Sequence, residues 1–341
     1  MTVPAGSSAA IGTRPVRRAG IVLVCVLLLV GGTTPMANRR CDAADPVDLA
    51  TESLRVTVAP DRGGSLLTLA VRRGDSWIEL MPDGRVAGAR PSSWLMLPYS
   101  NRIRDGRFSF QGTAHQLRSA KNHAIHGDVR NRPWRVTERE PARLVLEFDS
   151  HEAADFDWPW PIRARVGIAI EGDALVQRLS FENRGDTPMP AGFGWHPYFR
   201  RFLSREGEPV ELAFSATGRY PDAEPDGLPD GPAVPLPPEL DFSARRAVPS
   251  SGLDACFAGF GGRAELAWPE SRVRLLFACT PNVTHLVCFA PADRPVIAVE
   301  PVANASDGVN LLAAGHEGTG VIELAPKESL DAAFTLRILA E

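Results

Sequence analysis

The chain has 341 residues, 44% of them hydrophobic and 23% charged, with a formal net charge of -4. Those totals describe a soluble globular protein long enough to bury a sizeable core. They exclude an electrostatic case for nucleic acid, because the arginines are dispersed among acidic residues and form no basic stripe. Thirty glycines and thirty prolines imply many turns, which suits an all-β chain better than a helical one.

In chain order, residues 1–40 come first and stand apart. Arg14, Arg17 and Arg18 precede the apolar run IVLVCVLLLV, Ile21 to Val30, and small residues follow. That order is the layout of a secretory leader, and the run is too short for a comfortable membrane span. The segment TTPMA places Pro35 where cleavage wants a small residue, and Met36 offers a second start. An exported or periplasmic protein follows if the leader is real, and a cytoplasmic one if translation starts at Met36. Cys25 lies in this segment; Cys41, Cys256, Cys279 and Cys288 form no C-x-x-C pair. The last three sit in or beside apolar runs and read as buried free thiols.

From Leu54 the text becomes strands and turns. LRVTVAP, RLVLEFDS, RARVGIAIEG, ALVQRLSFENRG, RVRLLFAC, HLVCFAP and PVIAVEPV are short, often alternating and rich in β-branched residues. RARVGIAIEGDALVQRLSFENRG predicts a hairpin turning at EGDA. No dozen-residue stretch holds a helical apolar spacing, and no fixed repeat is present. Between Arg219 and Asp241 the proline content argues against regular ladders and predicts a long surface loop or edge cover within one β domain over 50–341.

Four polar clusters interrupt this β text. In LPYSNRIRDGRFSFQG, Asn101 and Arg102 precede a DG turn; the segment reads as a hairpin with surface arginines, or as a guanidinium fork for a hydroxylated or anionic ligand. In NHAIHGDVRNRPW the Gly-Asp and Pro-Trp steps argue for a loop, and His123 and His126 have no third ligand at a familiar zinc spacing. His126 beside Gly127 suggests a tight turn that a ligand can approach. In GFGWHPYFRR, His196 precedes proline and is therefore extended, with Trp195, Tyr198 and Phe199 as an aromatic wall. A packed structural histidine and a working one both fit those residues. PVIAVEPVANASDGVNLL reads as a strand buried on both faces and ended by Glu300. A carboxylate there is costly unless paired or opened to a cleft, so Glu300 is the strongest single candidate for chemistry. Asp254, in SGLDACFAGF, reads as an ordinary turn aspartate.

NRIRDGRF, HAIHG, GFGWHPYF, LDACF and VEPV, in that order, resemble the aldose 1-epimerase (galactose mutarotase-like) family from about residue 50 to the end. The resemblance implies a large antiparallel β-supersandwich with a sugar site on its concave face. It implies His196 as general acid, Glu300 as general base and His126 as an assistant at the ring oxygen. Arg102, Asn101 and Asp254 would bind the sugar. A free aldose would be the substrate, with no metal, cofactor, nucleic acid or stable membrane span; the oligomeric state is not legible. One departure is Gly-Asp after His126 where the family commonly has two glycines. Arg130 and Arg132 follow, and HGDVRNRPW is similar to the arginine-bearing loop of hexose-6-phosphate mutarotases. A sugar phosphate is therefore an alternative substrate, and surface charges flanking Trp134 the plain reading. A two-carboxylate glycoside hydrolase using Glu300 and Asp254, and a carbohydrate-binding protein without catalysis, are the remaining readings.

Overall fold

The computed structural model describes residues 45–118, 122–221 and 227–341. The leader-like segment with Cys25, and Cys41, lie outside the described residues. Within them the chain folds as strands in antiparallel ladders. A nine-stranded sheet and a seven-stranded sheet dominate, with a four-stranded sheet built from residues 47–79. The expected hairpin is present: Ile162–Glu171 and Ala174–Asn183 pair along their whole length and turn at Glu171 and Ala174. Both strands belong to the larger sheet.

The two main sheets meet through aromatic side chains. In the seven-stranded sheet, Gly194–Arg200 lies between Ser93–Met96 and Val296–Val302. Side chains alternate along a strand, so Trp195 and Phe199 turn toward the nine-stranded sheet. Trp195 lies 6.3 Å from Phe277 and 6.1 Å from Phe334, and Phe199 lies 5.9 Å from Phe277. Trp195 and Phe199 are therefore core, and do not flank His196 as the sequence suggested. His196 and Tyr198 occupy the opposite face.

Three further expectations change. Glu300 does not end its strand, because Val296–Val302 continues beyond it and pairs on both sides. The DG step at Asp105 and Gly106 closes no hairpin: Arg102–Ile103 pairs with Ala124–Ile125, and Arg107–Phe110 pairs with Thr113–Gln116. The proline-rich segment does carry a short ladder, Gly218 with Pro235 and Arg219 with Val234, on the edge of the seven-stranded sheet. An edge is where proline's missing N–H is tolerated. Cys256 and Cys288 are buried and Cys279 is half-buried, and none of the three forms a disulfide among the described residues. No helix among the described residues is long and apolar enough to cross a membrane.

The loop holding His126 is fixed by backbone alone. Asn101, His126 and Gly127 all have left-handed φ values of 55°, 62° and 67°. The Asn101 carbonyl accepts from the His126 N–H at 2.7 Å, and the Leu97 carbonyl accepts from the Asp128 N–H at 2.8 Å. Gly127 packs so closely that a Cβ there would lie 1.8 Å from the Leu97 oxygen. The glycine thus admits the chain's own backbone and not a ligand. Gly127→Ala should lower unfolding stability by about 3 kcal/mol or more, read from the urea midpoint, with an unchanged midpoint refuting this packing.

Candidate active site

Three strands place the central side chains on one face. The register aligns Trp94 with His196, and Tyr198 with Ala298 on the next strand. Alternation from those pairs sets Glu300 beside His196. His196 Nε2 lies 3.2 Å from Glu300 Oε1. The two residues are only 3% and 2% exposed, so this contact is made in a dry interior. The His126 ring stands perpendicular to that of His196 at 5.0 Å. Trp94 covers His196 at 4.3 Å and Tyr198 flanks it at 4.7 Å.

Burial controls the protonation of this cluster. It pushes His196 down to about 3, with the Arg130 guanidinium adding to the effect. His126 is also driven well below its ordinary value by burial, then by His196, Arg130 and Arg102. Glu300 moves the other way: burial raises its carboxyl well above the usual range, and nearby Asp254 adds to this while Arg102 opposes it. The empty pair is therefore neutral imidazole with protonated carboxyl, and it holds one mobile proton between a donor and an acceptor. Four buried polar atoms in this cluster have no hydrogen-bond partner among the described residues: Trp94 Nε1, His126 Nδ1, His196 Nδ1 and Glu300 Oε2. Buried polar atoms are normally satisfied, and such a concentration marks a functional centre.

The surrounding residues are held by loops after the Glu300 strand. Asn304 Oδ1 accepts from the Ser100 N–H at 3.0 Å, and Ser100 Oγ donates to the Asn304 carbonyl at 2.8 Å. The Arg102 carbonyl accepts from the Asp307 N–H at 2.7 Å, while Asp307 Oδ1 accepts from the Arg104 N–H at 2.9 Å. These bonds tie the Asn101–Arg102 turn to the strand carrying Glu300. The Asn101 amide donates to Ser100 Oγ at 3.2 Å, so this residue shapes the turn. The Arg102 guanidinium lies against Gly227 of the proline-rich segment, where a Cβ would come within 2.6 Å of Nη1. Its charge reaches Glu300, Asp254 and His126. Asp254 is the second residue of the strand Leu253–Ala258, not a turn residue, and stands exposed at the mouth. Partial desolvation raises its carboxyl and Arg102 counters that.

The two arginines after His126 separate. Arg132 bonds Asp128 at 2.6 Å and Asp155 at 2.7 Å, so its charge is consumed within the loop. Asp128, the residue in place of a second glycine, also accepts from the Asp157 N–H at 2.8 Å. Arg130 takes no carboxylate partner among the described residues and lies 5.8 Å over the Trp94 ring. His123 diverges from His126, accepting from the Asp105 N–H at 3.0 Å. Trp94 was passed over in the sequence, because only the pairing of Ser93–Met96 with Gly194–Arg200 sets it over His196.

The raised carboxyl has a measurable sign. Glu300 holds its proton in the folded state above 4.5, its ordinary value. The stability this contributes is complete below that pH and is lost as pH rises toward the folded value. Glu300→Gln removes this dependence. Between about pH 5 and 7 the variant should gain on the wild type by up to ~1.4 kcal/mol per pH unit in urea unfolding; a gap that is flat or of opposite slope refutes the protonated carboxyl.

The sequence profile of the aldose 1-epimerase family matches residues 47–337. A protein of Escherichia coli K12, YphB, of uncharacterised function, is 28% identical over 271 residues, covering 76% of this chain and 88% of that protein. The crystal structure of a candidate aldose 1-epimerase from Escherichia coli K12 superposes with a TM-score of 0.75 at 25% identity, covering 87% of this chain and 99% of that one. Galactose 1-epimerase from Lactobacillus acidophilus NCFM shares the fold with a TM-score of 0.68 at 17% identity, covering 86% and 94%. The chain belongs to the aldose 1-epimerase family.

Proposed function

We propose that the protein is a mutarotase, interconverting the α and β anomers of a free aldose by opening and closing its ring. The observation that carries this reading is the buried, uncharged contact of His196 with Glu300. Ring opening needs one group to take the anomeric hydroxyl proton and another to protonate the ring oxygen, with the roles reversed on closure. A pair sharing one proton can do both without changing its net charge. Glu300 takes the anomeric proton and His196 supplies the ring oxygen, with His126 alongside. The sugar's hydroxyls and the Arg102 charge solvate the carboxylate, so that the mobile proton moves to His196 as substrate enters. Arg102, Asn101 and Asp254 frame the sugar. A two-carboxylate hydrolase is disfavoured by the same geometry, since the partner of Glu300 is a histidine and Asp254 lies at the exposed mouth.

Polarimetry of freshly dissolved α-D-glucose and α-D-galactose tests the reading. Wild type should accelerate anomerisation, and His196→Asn and Glu300→Gln should each lose about 10²–10⁴-fold in rate while remaining folded. Because burial holds the His196 imidazole down to about 3, the rate should show no histidine inflection near pH 6.5. Unaltered rates in both variants would remove His196 and Glu300 from the mechanism, and no acceleration by the wild type would leave a sugar-binding protein without catalysis.

Arg130 supports a second reading, with a hexose 6-phosphate as the sugar. Its guanidinium is unpaired among the described residues and close enough to depress both histidines, and a phosphate is a natural partner for such a group. On this reading Arg130→Ala should cut kcat/KM for glucose 6-phosphate by about 10- to 100-fold and spare glucose. Equal effects on both sugars would set the phosphate reading aside.

A further inference from the structure

The sheet face that carries Glu300 also carries a buried histidine that the proposed chemistry does not use. The register pairs His285 with Val302, which follows Glu300 on the same face. His285 and its neighbour Tyr220 are both buried. His285 Nδ1 lies 2.8 Å from the Ala303 carbonyl, which also accepts from Thr284 Oγ at 2.9 Å. His285 Nε2 lies 3.3 Å from the Tyr220 hydroxyl, and that hydroxyl donates to the Gly318 carbonyl at 3.1 Å. Burial lowers His285, so its imidazole is uncharged at neutral pH. A neutral ring donating from Nδ1 to Ala303 offers Nε2 as an acceptor, and the Tyr220 proton is then shared between Nε2 and Gly318. Gly320 closes over the ring, where a Cβ would come within 2.8 Å of Cε1.

Tyr220 stands where the chain leaves the seven-stranded sheet for the proline-rich segment. Gly218 and Arg219 make the ladder before it, and the Tyr220 N–H donates to the Cys256 carbonyl at 2.9 Å. The Pro221 carbonyl accepts from the Asp230 N–H at 2.9 Å, which brings the two ends of the 221–230 stretch together. Gly227 lies within that stretch against the Arg102 guanidinium, and its carbonyl accepts from Ser306 Oγ at 2.7 Å. Ala303, Ser306 and Gly318 all belong to the chain that follows Glu300. We infer that His285 and Tyr220 are positioning residues: their hydrogen bonds anchor the 221–230 stretch to the chain beyond Glu300, and through Gly227 they keep the Arg102 guanidinium in reach of the Glu300 carboxyl. The kinetic consequence rests on the mutarotase reading above, whereas the placement of Arg102 does not. Without the Tyr220 hydroxyl or the His285 acceptor, backbone bonds alone hold the base of the stretch. The confinement of Arg102 then loosens, and the carboxyl keeps its proton to higher pH.

Titration of the Glu300 carboxyl by NMR tests this without requiring turnover. In protein carrying isotope-labelled glutamate, the Glu300 resonance is the one lost in Glu300→Gln. Arg102→Gln should raise its titration midpoint, since Arg102 opposes the rise. Tyr220→Phe removes only the hydroxyl, and His285→Asn can keep a donor for Ala303 while losing the Tyr220 contact. Each should raise the midpoint in the same direction by about half a pH unit. In the Arg102→Gln background both should change it no further. Anomerisation of α-D-glucose should follow the same pattern. Each single variant should lose about 3- to 10-fold in kcat/KM, the scale of one hydrogen bond, with no added loss beside Arg102→Gln. Tyr220→Phe carries the test alone should the asparagine form fail to fold. A lowered urea midpoint with an unmoved Glu300 titration would make the pair merely structural and overturns the proposal, as does an unmoved titration in Arg102→Gln. Shifted midpoints in a protein that anomerises no sugar keep the positioning role and remove the mutarotase.

Discussion

The rest of the site depends on one contact, the dry approach of His196 to Glu300 across two neighbouring strands. An ionised pair at that depth would need other hydrogen bonds to offset its desolvation, and charge separation in a dry interior is expensive. The protein holds the pair neutral by keeping the proton on the carboxyl. That choice has a structural cause. Glu300 is mid-strand, flanked on both sides by hydrogen-bonded neighbours, so its carboxyl cannot swing out to water as a loop residue would. Its oxygen Oε2 is left without a partner, which is the unresolved polarity a hydroxylated ligand would complete.

A second constraint follows from sheet geometry. One strand serves two purposes because its side chains alternate: Trp195 and Phe199 seal the inter-sheet core, while His196 and Tyr198 face the site. Gly194 starts that strand without a side chain because Val302 and Met96 fill the space, a Cβ meeting Val302 Cγ1 at 2.6 Å. The rigidity of the His196–Glu300 pair is thus inherited from core packing on the far face. The outer residues are held differently, by turns with left-handed backbone and by Asn304 and Asp307 reaching from the chain that follows Glu300. Centre and periphery are linked through the same stretch of sequence.

Strand text, the Glu171–Ala174 turn and the candidacy of Glu300 were legible because each rests on local chemistry: alternation, turn residues, or a carboxylate in an apolar run. His126 and Arg102 became candidates through motif order, since their own surroundings read equally well as surface. The aromatic wall was misassigned although the period-two rule could have sorted Trp195 and Phe199 from His196. Trp94 was out of reach for another reason: only the pairing of Ser93–Met96 with Gly194–Arg200 sets it over His196. Inter-strand register is not written in either strand alone. The fates of Arg130 and Arg132 were equally hidden, because Asp155, which helps to hold Arg132, comes from a distant turn.

The charge pattern around the centre completes the physical picture. Among the described residues neither the Arg102 nor the Arg130 guanidinium makes an ion pair, while Arg132 is satisfied by Asp128 and Asp155. Burial lowers the histidines and raises Glu300; the arginines add to the first effect, and Arg102 tempers the second. Arg102 therefore works against burial on the glutamate side of the pair. Arg102 acts directly on Glu300, and its guanidinium is confined by Gly227, whose carbonyl accepts from Ser306 Oγ at 2.7 Å. The proline-rich segment, read from sequence as a surface loop or edge cover, is thus part of what sets the electrostatics of the Glu300 carboxyl. A short stretch anchored at Gly227 and Pro229 suffices to hold a guanidinium in place.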